Sequence, residues 1–206
     1  MKKVLIILAI LFLNFAYSQE DILEKGIKVY ESGDYINAMK YYKQACDLNS
    51  GISCSNLGVM YEDGKGVEKD NFKAVEFYQK ACKLNDNVGC SHLGYMYANG
   101  YGVKKDNFKA ISFFQKACDL NNGFGCSATG VMYANRYGVK KDNFKAISFF
   151  QKACDLNDNL GCFNLAIMYE NGKGIRKDLS KALEYFGKAC DLKNDLGCQA
   201  YARLKQ

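Results

Sequence analysis

Residues 46–54, CDLNSGISC, decide the fold, because the same nine-residue figure returns four more times. It reads CKLNDNVGC at 82–90, CDLNNGFGC at 118–126, CDLNDNLGC at 154–162 and CDLKNDLGC at 190–198, each 36 residues after the last. A fixed period of this length marks an array whose units bury their apolar faces by stacking on their neighbours.

All ten cysteines belong to these figures. Zinc sites favour C-x2–4-C spacing, whereas seven residues intervene here, so no metal and no cofactor is expected. In an oxidising compartment an even cysteine count at fixed spacing reads as disulfides. Two pairings respect the repeat. One closes each figure on itself: Cys46–Cys54, Cys82–Cys90, Cys118–Cys126, Cys154–Cys162 and Cys190–Cys198. The other joins positions 28 apart, such as Cys54 with Cys82, and strands Cys46 and Cys198 at opposite ends. The first leaves no thiol over and is preferred.

The oxidising compartment follows from the start of the chain. Lys2 and Lys3 precede an apolar run, Val4 to Leu13, and then Ala16-Tyr17-Ser18. That order predicts a signal peptide over residues 1–18 and a secreted or periplasmic protein. The run is short for a membrane anchor, and no stable membrane span is expected. The formal net charge is +6, of which the leader carries two units. Lysines and acids are interspersed elsewhere, which suits solubility better than a nucleic-acid groove, so no nucleic-acid partner is expected. There is no proline and no low-complexity linker. Residues 19–206 therefore read as a single repeat array. It comprises a cap-like unit at 21–49, four full repeats over 50–193 and a capping helix over 194–206.

One repeat can be read from Cys54 onward. Cys54, Leu57, Gly58 and Tyr61 recur at helical spacing and form an apolar face. Asp63-Gly64 ends that helix at a position suited to a left-handed cap. A loop, Lys65 to Lys69, leads to Asp70 as N-cap of a second helix. The second helix presents Phe72, Val75, Tyr78 and Cys82, flanked by Ala74 and Ala81, with Lys80 and Lys83 where the macrodipole favours cations. Asn85 to Gly89 then turn the chain into the next unit. Each repeat is thus a helical hairpin, and the fold class is all-α.

The units differ in places. Residues 101–121 and 137–157 are identical, YGVKKDNFKAISFFQKACDLN, a sign of internal duplication. Arg136 replaces the glycine found at Gly64, Gly100 and Gly172. A left-handed arginine costs roughly 1 kcal/mol, so a relaxed turn is expected there. Thr129 stands where Leu57, Leu93 and Leu165 stand, marking the softest repeat.

Written out, the repeat C-x-N-L-G-x-M-Y-x-x-G-x-G-V-x-K-D-x-x-K-A-x-x-Y/F-Y/F-x-K-A-C resembles the Sel-like repeat, a tetratricopeptide relative. With the export signal and the C-x7-C pairs, the chain resembles the secreted Helicobacter cysteine-rich protein family. The resemblance implies a right-handed α/α superhelical solenoid with one disulfide per repeat. It implies two kinds of function. One is a scaffold that takes a protein or peptide partner, of host or envelope origin, in its concave groove. The alternative is a penicillin-binding protein with weak β-lactamase activity, acting on a β-lactam or peptidoglycan-like ligand.

The residues supply no catalytic motif for the second. No serine has lysine three positions on, as S-x-x-K requires; Ser112 and Ser148 have it four on. The chain has one histidine, His92, which reads as a solvated or groove-lining side chain before it reads as a base. In arrays of the resembled type the first helices line the groove. Beside the core face runs a stripe of Asn56, Val59, Met60 and Asp63. Its equivalents are His92, Tyr95, Met96 and Asn99; Ala128, Val131, Met132 and Asn135; and Asn164, Ile167, Met168 and Asn171. Amides can donate and accept along an extended peptide. The predicted ligand groove is therefore Asn56, His92, Tyr95, Asn99, Asn135, Asn164 and Asn171. The four methionines recur as core residues would, and belong either to the packing between repeats or to the groove.

Overall fold

A computed structural model describes residues 20–206. The expected signal peptide and the Ser18 cleavage point lie outside the described residues. Every regular element among the described residues is helical: α1 (20–31), α2 (Tyr35–Asp47), α3 (Gly51–Asp63), α4 (Asn71–Lys83), α5 (Asn87–Asn99), α6 (Asn107–Asp119), α7 (Gly123–Asn135), α8 (Asn143–Asp155), α9 (Asn159–Asn171), α10 (Leu179–Asp191) and α11 (Asp195–Leu204). They form two compact bodies, one ending at Gly89 and one beginning at Cys90. In the first, α2 packs on α3 and α3 on α4. In the second, α6 to α11 pack each on the next, and the first helices α7 and α9 also touch.

Two kinds of corner alternate. Between hairpins the chain turns in three residues. After α2, Leu48 caps the helix and Asn49 takes a left-handed φ of 67°. The Asn49 and Ser50 amides donate to the Cys46 and Ala45 carbonyls, the paired bonds of a Schellman ending. Ser50 then caps α3, accepting from the Ser53 amide. Asn85, Asn121, Asn157 and Lys193 repeat the left-handed turn. Asparagine tolerates that conformation with little penalty, which explains its place in the nine-residue figure. Disulfides lock these corners: Cys46–Cys54 with Cα atoms 4.9 Å apart, and Cys118–Cys126, Cys154–Cys162 and Cys190–Cys198 at 4.5 Å. Cys82 and Cys90 are also disulfide-bonded, and no described cysteine is free.

Within a hairpin the corner is longer. Gly64 ends α3 left-handed, and the Asp70 amide closes the loop by donating to the Tyr61 carbonyl at 2.8 Å. The Asp70 carboxylate accepts from the Phe72 and Lys73 amides. Asp106, Asp142 and Asp178 make the same backbone closure. The second glycine of each loop has a separate reason. At Gly138, φ is +68° and an added Cβ would lie 2.6 Å from the Asn107 backbone. The loop therefore rests directly on the start of α6, one repeat back, and only glycine fits.

Side chains follow the same rule in each repeat. Tyr61, Tyr133 and Tyr169 stack on Phe77, Phe149 and Tyr185 at centroid distances of 5.5, 5.8 and 5.7 Å. Lys73, Lys145 and Lys181 stand over the same tyrosine rings, 5.2 to 5.3 Å from the centroids. Gly58 and Gly130 admit the rings of Tyr78 and Phe150, which an added Cβ would approach within 2.5 and 2.6 Å. Met60, Met96, Met132 and Met168 are all buried, which fits the packing reading, and Met132 also borders a cavity of the second body.

Two expectations are corrected. Phe72 is not on the buried face of its helix but is 73% exposed. Steps of three residues drift by about 60° in an α-helix, which puts Phe72 about 120° from the centre of the face made by Ala74, Val75, Tyr78, Ala81 and Cys82. The turn at Arg136 is not relaxed: Arg136 caps α7 in the left-handed region, with φ 63° and ψ 30°. The loop that follows is anchored by Gly138 and by the Asp142 amide on the Tyr133 carbonyl, so the cap geometry persists without glycine.

Two substitutions separate these roles. Arg136→Gly relieves the left-handed arginine and should stabilise by about 1 kcal/mol. Gly138→Ala adds a strained φ and a backbone clash, and should destabilise by about 2 kcal/mol or more. Urea unfolding of both variants checks the opposite signs.

Candidate functional site

Within each body a cavity opens beside the first helices, next to the capping chemistry of the corner. In the second body, Asp158 caps α9 and accepts from the Gly161 amide at 2.7 Å and from the Ser127 hydroxyl of α7. In the first body Ser55 of α3 donates to the Asp86 carboxylate, which also accepts from the Gly89 amide at 2.6 Å. These serines are buried, and each ties one first helix to the cap of the next. Burial pushes the Asp158 carboxyl above the usual range, against the lowering effect of its hydrogen bonds.

Beside these contacts the second body has a cavity of about 510 Å³. Phe124, Val131, Tyr137 and Leu160 give it apolar walls, and Asn99, Asn107, Ser127 and Asn164 bring polar groups to its edge. Phe124 also packs edge-on against Phe114, with centroids 5.9 Å apart. The first body holds a comparable cavity of about 510 Å³, lined by Ile52, Ser55, Asn56 and Val88. Ile52 and Phe124 are the same position of the repeat, as are Ser55 and Ser127.

Of the predicted groove residues, the structure gathers Asn99 and Asn164 at the second-body cavity, with Ala128, Val131 and Met132 of the same stripe. Asn56 lines the first-body cavity. Asn99 and Asn171 each donate their side-chain amide to their own helix, to Tyr95 O and Ile167 O, both at 2.9 Å. Tyr95 stands exposed, edge-on to Tyr101 at 5.9 Å. His92 is half-buried, and Asn135 and Asn171 are exposed. These four residues, His92, Tyr95, Asn135 and Asn171, do not line the second-body cavity. Ser112 and Ser148 are exposed on α6 and α8. Among the described residues no group of three or more His, Cys, Asp or Glu is placed to hold a metal ion. No helix among them is long and apolar enough to cross a membrane.

The Sel1 repeat family matches residues 51–86, 88–122, 124–158 and 159–194. The chain belongs to the Sel1 repeat family. A tetratricopeptide repeat matches residues 30–51, where the hairpin connection is the short Ser32-Gly33-Asp34. A Sel1 repeat protein from Oxalobacter formigenes has a similar structure, with a TM-score of 0.82 and 30% identity over 88% of this chain and 74% of that one. Helicobacter pylori cysteine rich protein B gives a TM-score of 0.52 and 40% identity, over 64% of this chain and 94% of that one. Among curated relatives, the beta-lactamase HcpA of Helicobacter pylori is 41% identical over 51 residues, 25% of this chain and 20% of HcpA. The chain spans a fifth or less of the length of the curated relatives it matches. The disulfides and these cysteine-rich relatives fit an extracytoplasmic protein.

Sequence reasoning missed Phe124, Tyr137 and Leu160 as cavity residues. A signal was present: Ile52, Val88, Phe124, Leu160 and Leu196 are 36 residues apart, apolar and exposed. They lie one helical turn before the stripe that begins at Asn56.

Position 158 alternates naturally with asparagine: Asn122 and Asn194 cap α7 and α11 in the same way. A carboxyl whose folded pKa lies above its unfolded value lowers stability as pH rises from the unfolded value through the folded one. Asp158→Asn should remove that loss while keeping the cap. The variant should gain in melting temperature over the parent as pH rises from about 3 to 7. Parallel melts of both proteins across that range test the sign.

Proposed function

We propose that this chain is a secreted, disulfide-stapled scaffold that holds a peptide or protein segment against its first helices. The observation that carries the reading is the second-body cavity, in which apolar walls meet side-chain amides at Asn99 and Asn164. Pockets of this make-up anchor one apolar side chain while a few polar groups fix the orientation of the backbone. Asn164 sits mid-helix and half-buried, where a side-chain amide does not help the helix itself. Repeats of the Sel1 and tetratricopeptide types generally mediate protein interactions. The partner proposed is an envelope or host protein. Residues 19–206 act as one array in this reading, with 21–49 and 194–206 as its caps.

The hydrolase alternative rests on the name carried by HcpA and on no group of residues in this chain. Ser112 and Ser148 face solvent on lysine-rich helices.

Panning random phage-displayed peptides on the protein supplies a probe whose affinity can be measured by calorimetry. Asn164→Ala should weaken that peptide about three- to tenfold, and Tyr137→Ala by tenfold or more, with little change in melting temperature. Peptides that bind both variants as tightly as the parent would remove the groove from the proposal. Turnover of benzylpenicillin that is lost in Ser112→Ala, Ser148→Ala or His92→Ala, with folding intact, would replace the scaffold by the hydrolase.

A further inference from the structure

In the second body, the ends of the second helices carry charges that helix stability does not explain. Lys104 and Lys105 precede α6, and Lys140 and Lys141 precede α8, at the end where the macrodipole is positive. Asp119 and Asp155 are the last residues of the same helices, where it is negative. The paired lysines run against the dipole, whereas the Asp106 and Asp142 caps and the last-turn Lys116 and Lys152 run with it, over helices of 13 residues, about 20 Å long. The carboxylates on the basic edge, Asp106 and Asp142, are committed to capping backbone amides. Among the described residues the four lysines make no ion pair, and all are exposed.

Two rings project from this edge. Phe108 and Phe144, the second residues of α6 and α8, are 74% and 76% exposed. They flank one shallow depression of about 940 Å³, together with Lys140, Lys141 and Lys145. Lys145 is held over the Tyr133 ring at 5.2 Å, and both line the same depression. Rings this exposed contribute almost nothing to folding.

We propose that this edge of the second body docks on an anionic lipid bilayer. Lysines attract an acidic headgroup layer, and phenylalanines between them enter the boundary between headgroups and acyl chains. A protein partner would need a shaped pocket for each ring. A bilayer accepts any row of projecting rings, and these two sit in identical sequence, 36 residues apart. Lys105 also lines the first-helix cavity, so the edge and the cavity adjoin at that residue.

The test is cosedimentation of the full chain with phosphatidylcholine vesicles, with and without about one-third phosphatidylglycerol. Residues 1–19 are common to all variants and cancel in each comparison. The parent should partition at least about tenfold more strongly to the acidic vesicles, and lose that preference as salt is raised. Phe108→Ser with Phe144→Ser should lower binding about tenfold or more at unchanged melting temperature. Replacing Lys104, Lys105, Lys140 and Lys141 with glutamine should abolish the preference for acidic vesicles. Equal partition to both vesicle types, or full binding by either folded variant, overturns the proposal. So does tight binding to polyglutamate with none to vesicles, which would assign the edge to an acidic protein.

Discussion

A bond between cysteines eight residues apart is the constraint on which the rest of each body depends. It joins the last turn of one second helix to the first turn of the next first helix, across a corner three residues long. The left-handed Asn49 and its equivalents turn the chain; the disulfide keeps it turned. Closing so short a loop contributes on the order of 2–3 kcal/mol per bridge in the chain-entropy picture. That matters in a stacked array, where each hairpin has only its neighbours to bury against. With the corner fixed, the small residues Gly58 and Gly130 meet the rings of Tyr78 and Phe150, and the second loop glycine meets the preceding repeat. The capping serine–carboxylate contacts then fall into register without further sequence.

Most of this was legible. The period, the hairpin plan, the capping role of Asp70 and the disulfide pairing all follow from short motifs whose physics is local. What escaped depends on geometry that motifs do not encode. Phe72 was placed inside because a three-residue step looks like a stripe over one turn and leaves it over three. Arg136 was expected to relax, but its loop is held at both ends by contacts outside the residue itself. Of the residues that line the second-body cavity, Asn99 and Asn164 are legible from the stripe and Tyr137 is not. Tyr137 belongs to a loop, and only packing carries its ring across to the face of α7.

The third cysteine-bearing repeat shows how a departure can be absorbed. Thr129 occupies a leucine position and is fully buried, its hydroxyl donating to the Gly125 carbonyl at 2.8 Å. The polar group is satisfied, so the cost is lost volume rather than an orphaned donor. The second-body cavity is lined on both sides of that residue, by Ala128 and Val131. A repeat with less bulk in its core therefore lies beside the cavity walled by Phe124 and Tyr137.

Repetition itself divides the labour. The loop and second helix are identical at 101–121 and 137–157, so those segments cannot tell one repeat from the next. Any selectivity for a shaped ligand must come from first-helix positions that vary. They do vary: Ile52, Phe124 and Leu160 share one position, and Asn56, Ala128 and Asn164 another. Within the second body, Phe124 and Leu160 differ in shape and Ala128 and Asn164 in hydrogen-bonding capacity, so a ligand in that cavity would meet a different chemistry from each repeat. The invariant edge of Phe108, Phe144 and their lysines has the opposite property. It presents one chemistry at regular intervals, which matches a partner that is uniform along its surface. One face of the repeat can discriminate because it varies, and the other can adhere because it does not.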